Sequence, residues 1–214
     1  MLPYKAWEAL ELGISKDVKC IFGTTKDEGN LFYMMNTIPR TWLEIKKMLY
    51  SNNYANKFEE FKKIYGHLNE KNAMQSISSD RLFWVDSIKC TIAQSKYNDV
   101  YSYRYDFVTF LNEIMELGAT HATDICSALD TWKGTAYKFN KLTSKKRLKK
   151  IYEFMHGGFV QFCKNGNPNG NWPMTWKKYD EKNKFTFILN TRPSIEYNPN
   201  SKKFDLWKDI SLYE

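Results

Sequence analysis

The order of strand-like and helix-like segments constrains this chain more than any other feature. "DVKCIFG" at 17–23 is an apolar run that closes on glycine, the pattern of a short buried strand. "DVYSYRYDF" at 99–107 alternates aromatic and β-branched residues, and "KFTFILN" at 184–190 forms a last strand, with "SIEYNP" as a short extended piece beyond it. Between the first two lie "TWLEIKKMLYS" and "NYANKFEEFKKIYG", both amphipathic, and a longer helix over 78–97 with a Ser/Asp start. A mixed segment, 111–132, and a long basic helix over 143–164 precede the turn cluster "NGNPNGNWP". Strand, helices, strand, helix, strand predicts an α/β fold with helices flanking a sheet.

At 214 residues the chain suits one large domain or part of a larger one, and 43% hydrophobic residues suffice for a core. No run approaches the ~20 apolar residues that cross a bilayer, and "MLPYKAWEALELG" has no apolar stretch of a signal peptide. Cys20, Cys90, Cys126 and Cys163 contain no C-x-x-C pair, which predicts free thiols in a reducing compartment such as the cytoplasm. Three histidines spread along the chain are too few for a zinc site. The net charge is +8, with its densest run in "SKKRLKKIYEF" at 144–154. Leu148, Ile151, Tyr152 and Met155 recur there at helical spacing, so the cations read as a solvated helix face and predict neither a nucleic-acid nor a membrane partner.

The chemistry concentrates in two loops. "GTTKDEG" at 23–29 follows the first strand, where open α/β sheets collect reactive groups. On this loop alone two readings stand: Glu28 as a reactive carboxylate, or Asp27 as a helix N-cap with Glu28 in the first turn. "GATHATDI" at 118–125 follows the second strand and offers His121, a residue type suited to general acid–base work. His67, at the end of a polar helix, reads as surface. His156 opens "HGGF", a string found in esterase oxyanion loops, but it lies in a helical pattern and not after a strand. Glu28 and His121 together follow the acid-then-histidine order of an α/β-hydrolase triad. The nucleophile belongs before them on a G-x-S-x-G elbow; only Ser15 precedes Glu28, and no such elbow occurs in the sequence.

These residues resemble the type B carboxylesterases, the family of cholinesterases and bacterial para-nitrobenzyl esterases. The acid-loop pattern is matched at Gly23, Thr24, Thr25, Lys26, Asp27, Glu28 and Gly29. "SDRLFWVDSIKCTIAQSKYNDVYSYRYDF", "GATHATDI", "FVQFCKNGNPNGNWPMTW", "FTFILN" and "FDLW" are similar to later segments of the family, so the likeness runs from residue 2 to about 207. It implies the C-terminal part of an α/β-hydrolase fold with an incomplete central sheet. It also implies Glu28 as triad acid, His121 as triad base and no cofactor. Asp124 stands where the family usually has Glu, in a supporting position; Cys126, Ser127 and Ala128 replace an apolar run; Trp84 and Asp205 stand near the positions of the secreted members' disulfide.

The resemblance implies hydrolysis of small carboxylic esters by an assembly that includes a missing N-terminal portion, and no activity for this chain alone. A cut sheet edge predicts self-association or a companion chain. The alternatives are a non-catalytic binding module on the same fold, and the product of a split or decayed gene.

Overall fold

A computed structural model describes residues 3–131, 142–172 and 174–212. Trp132, at the end of the mixed segment, and Pro173, in the turn cluster, lie outside the described residues. Four strands form one sheet in the order β1 (Cys20–Thr25), β2 (Val100–Tyr105), β3 (Thr186–Leu189), β4 (Ser194–Glu196). The first three are parallel, in register from Cys20 opposite Val100 and from Tyr103 opposite Phe187. β4 turns back antiparallel, with Ile188 opposite Ser194. Parallel neighbours require crossovers, and the predicted helices supply them.

The first crossover holds α1 (Ala6–Glu11) before it and then α2 (Gly29–Met34), α3 (Trp42–Ser51), α4 (Phe58–Tyr65), α5 (Glu70–Ser79) and α6 (Val85–Ser95). α3 is capped by Thr41, whose side chain accepts the Glu44 amide while Glu44 reaches back, a reciprocal box that explains its sharp start. The helix expected over 78–97 begins earlier, at Glu70, behind an Asn69 cap. α5 and α6 are joined by a π-helical turn, Asp80–Trp84. Ser78, Ser79 and Asp80, which resemble a start signal, are buried mid-helix, and the side chains of Ser79 and Asp80 bind distant partners. The segment 53–66 is helical only from Phe58, after a 3₁₀ turn over Ala55–Lys57 and a left-handed Asn53.

The second crossover holds α7 (Phe110–Ile114), α8 (Ile125–Ala128) and α9 (Lys145–Asn165), and α10 (Ser201–Trp207) follows β4. Alternation along β2 divides the core. Tyr101 and Tyr105 join Ile151 and Met155 of α9, with Trp176, Phe187 and Leu189, on one face. Val100 packs with Ile88 of α6 and Tyr179 on the other. The result is a three-layer α/β/α arrangement. A second core, built from Ile45, Leu49, Phe61, Tyr65, Met74 and Ile77, is closed by Leu206 and Trp207. His156 lies within α9, as its helical pattern predicts. Among the described residues no helix is long and apolar enough to cross a membrane, and the four cysteines are free.

Candidate active site

Glu28 and His121 meet at the carboxyl ends of β1 and β2. Glu28 Oε2 lies 2.7 Å from His121 Nδ1, and Glu28 Oε1 accepts the Thr25 amide at 2.7 Å. Glu28 is 5% exposed, whereas the His121 side chain is 38% exposed. Glu28 occupies the residue before α2, yet its side chain makes no cap bond there. Asp27 is no cap either: its carboxylate accepts the Ala119 amide at 2.9 Å and its own amide donates to the Ala119 carbonyl at 3.0 Å. The local capping reading of both acids is therefore replaced by a bridge between loops that are more than 90 residues apart in sequence.

Two more bonds fasten these loops, and a third ties the first loop to α5. Asn30 Nδ2 donates to the Leu117 carbonyl at 3.1 Å, and the Leu31 amide to Thr120 Oγ1 at 3.0 Å. The Gly29 amide donates to Ser79 Oγ at 2.7 Å, and Ser79 passes its own proton to the Gln75 carbonyl. A Cβ at Gly29 would stand 2.3 Å from that carbonyl oxygen, so the absence of a side chain is what lets α2 lie against α5. Gly118 has φ +62°, and a Cβ there would stand 2.3 Å from the Asp27 carboxylate.

The imidazole is held by rings as well as by Glu28. Phe83, carried inward by the π turn, lies 4.5 Å from His121 centroid to centroid, and Phe32 of α2 lies at 5.4 Å. π turns are common where a helix must aim a side chain at a site. Neither phenylalanine, nor Ser79, is singled out by the sequence; only Gly29 beside Glu28 signals a close approach.

The turn after His121 is tied to the sheet by two tyrosines on one face of β2. Tyr103 donates to Asp124 Oδ2 at 2.9 Å, and Tyr105 shares a 2.8 Å bond with Ser127 Oγ. Tyr103 lies over Gly23, where a Cβ would come within 2.2 Å of the ring. Asp124 is bonded to Tyr103, and no hydrogen bond joins it to Glu28 or His121. His156 Nδ1 lies 2.8 Å from the Ala128 carbonyl and steadies the far end of the same turn.

Burial raises the Glu28 carboxyl above its ordinary range; the bonds from Thr25 and His121 oppose that rise and the Asp124 charge adds to it. Burial raises Asp27 likewise, opposed by the Ala119 amide. A carboxylate that accepts the Nδ1 proton leaves Nε2 as the basic nitrogen of His121.

The chain is 25% identical over 202 residues to the para-nitrobenzyl esterase of Bacillus subtilis (strain 168), covering 94% of this chain and 40% of that protein. Among solved structures, a PNB esterase superposes with a TM-score of 0.79 at 23% identity, covering all of this chain and 42% of the other. The Geobacillus stearothermophilus carboxylesterase EST55 gives 0.77 at 22% identity, with 94% and 42% covered. These likenesses show the α/β-hydrolase fold. The chain spans about 40% of the length of the relatives it matches. The carboxylesterase family model matches residues 1–207, nearly the whole sequence, and the chain belongs to that family.

Proposed function

We propose that this chain is the C-terminal portion of a serine carboxylic-ester hydrolase and supplies the acid and base of its Ser-His-Glu triad. The observation that carries the reading is the 2.7 Å contact between buried Glu28 and half-exposed His121. The nucleophilic serine and the oxyanion hole belong to a polypeptide segment outside these residues, since no G-x-S-x-G elbow occurs among them. In the assembled site the serine attacks the ester carbonyl while His121 Nε2 takes its proton. His121 then returns that proton to the leaving alkoxide, and water releases the acid by the same route in reverse. Glu28 keeps Nδ1 protonated and stabilises the imidazolium.

Alone, the pair has neither nucleophile nor oxyanion hole, commonly the largest single contribution to the rate. The chain by itself is therefore inactive in this reading. The substrate is a small carboxylic ester, with no cofactor.

The edge of β1 is where the missing portion joins, or where copies associate without it. The Cys20 and Lys26 amides donate inward to Asp99 and Tyr105, so alternation turns the Ile21 and Gly23 amides outward. The four free thiols support assignment to a reducing cytoplasm, which alkylation of all four in cells without added reductant would test.

The test is complementation. The purified chain leaves para-nitrophenyl ester hydrolysis at the buffer rate, and a co-expressed N-terminal portion of a family member restores turnover that His121→Ala abolishes. Saturable, His121-dependent turnover by the chain alone would refute its inactivity. Restored turnover indifferent to both Glu28→Gln and His121→Ala would refute the triad and favour a binding module.

A further inference from the structure

The basic run of α9 and the short helix α7 form one surface. Phe110 and Ile114 are four residues apart and so stand on one side of α7; they are 40% and 63% exposed. The Phe110 amide donates at 2.9 Å to Thr143 Oγ1, a buried anchor whose neighbour Leu142 is 62% exposed. That bond brings the segment carrying exposed Leu142 to the start of α7, which carries Phe110. Directly after that segment come Lys145, Lys146, Arg147, Lys149 and Lys150, all exposed. Two of these are engaged: Arg147 donates to the Val108 carbonyl at 3.2 Å and lies over Phe107, and Lys149 pairs with Glu153 at 3.7 Å. Among the described residues Lys145, Lys146 and Lys150 make no ion pair. Glu113, Glu116 and Glu153 are the exposed acids nearest in sequence; Glu116 pairs with Lys71 and Glu153 with Lys149, and the five cations of the run outnumber them.

Charge alone reads as a solvated helix face. Exposed apolar side chains beside unpaired cations are a different pattern, that of a surface that seats its greasy residues among lipid headgroups while its lysines meet anionic phosphates. We propose that Phe110, Ile114 and Leu142, with Lys145, Lys146 and Lys150, form a docking surface for an anionic lipid bilayer. This is peripheral binding, and it stands independently of the triad. A bilayer suits the patch better than an acidic polypeptide because the apolar residues protrude from a turn and a one-turn helix and outline no groove.

The test is sedimentation of the purified chain with phosphatidylcholine vesicles, with and without phosphatidylserine, at low salt. Binding is expected only to the vesicles containing phosphatidylserine. Each lysine near an acidic leaflet contributes roughly fivefold, so Lys145→Gln/Lys146→Gln/Lys150→Gln lowers partitioning on the order of 100-fold. Phe110→Ser/Ile114→Ser/Leu142→Ser lowers it without changing charge, and the distant set Lys47→Gln/Lys63→Gln/Lys202→Gln leaves it unchanged. Equal binding to both vesicles, binding to neither, or equal loss in the distant set overturns the proposal. So does equally tight capture on polyglutamate that ignores the apolar substitutions, which would assign the patch to an acidic polypeptide.

Discussion

Asp27 is bonded to Ala119 twice, once through its amide and once through its carboxylate. One residue on, Glu28 holds His121, which lies two residues beyond Ala119. The adjacent acids thus divide their work: Asp27 sets the distance between two loops, and Glu28 acts on the imidazole within that distance.

Removing the Asp27 carboxylate tests the first role. Asp27→Ala leaves the amide of fully buried Ala119 without its acceptor, a loss of about 1–3 kcal/mol. Urea unfolding is expected to show it, along with displaced amide and ring resonances at Ala119 and His121. Asp27→Asn retains an acceptor oxygen and should recover most of the stability; equal loss in both variants would place the effect elsewhere.

The pH dependence of stability tests the second. Burial makes the folded Glu28 carboxyl hold its proton to higher pH than its ordinary value of 4.5. Its favourable contribution is therefore present below that value and lost as the pH rises through the raised one. Asp27 and Asp80, raised by burial from 3.8, slope the same way. Glu28→Gln removes one of these three slopes, so unfolding midpoints measured from acid to neutral pH should fall less steeply in the variant. Parallel curves would show that Glu28 ionises as freely folded as unfolded.

Gly29→Ala is expected to destabilise by about 1–3 kcal/mol, the range of overpacking in a core. The new Cβ meets the Gln75 backbone oxygen, which cannot swing aside as a side chain can. α2 must then shift off α5, and Glu28 with it, so the His121 ring signals should move as well as the thermal midpoint. An unshifted His121 spectrum would separate the glycine from the site.

The second core has its own ionic centre. Lys203 Nζ lies 2.9 Å from Asp80 Oδ2, Tyr65 donates to the same oxygen at 2.7 Å, and Trp207 Nε1 donates to Tyr65 at 2.7 Å. Lys203→Met leaves the buried Asp80 without its cation, a loss of about 3 kcal/mol, since breaking one partner of a buried pair strands the other. Asp80→Asn added to it should restore part of that loss. Additive losses in the double variant would mean the two residues are not coupled.

The sequence made β1, β2 and β3 legible because each carries a run of β-branched and aromatic residues, though β1, at the sheet edge, is half-buried over Cys20 to Gly23, and α3 and α9 because their apolar stripes repeat at helical spacing. The start of α5 was hidden for a physical reason. Ser79 and Asp80 look like caps to a local reading, but their partners are Gly29, Tyr65 and Lys203. Asp27 misled in the same way, since its acceptor role is fulfilled at Ala119. The rings around His121 were equally out of sight: Phe83 reaches the imidazole only because a π turn rotates it inward, and nothing local announces that turn.

The double bond at Ala119 and the single one at His121 work together as a gauge of chain length. Residues 112–116, ahead of the Leu117 carbonyl that Asn30 holds, carry none of the bonds that set the gauge and have more freedom of length. A residue inserted between Ala119 and His121 has no such freedom. It would leave Asp27 engaged and carry the imidazole past the carboxylate that receives it. The spacing across residues 119–121 therefore decides whether the histidine is brought to its acid, whatever the length of the chain that leads up to it.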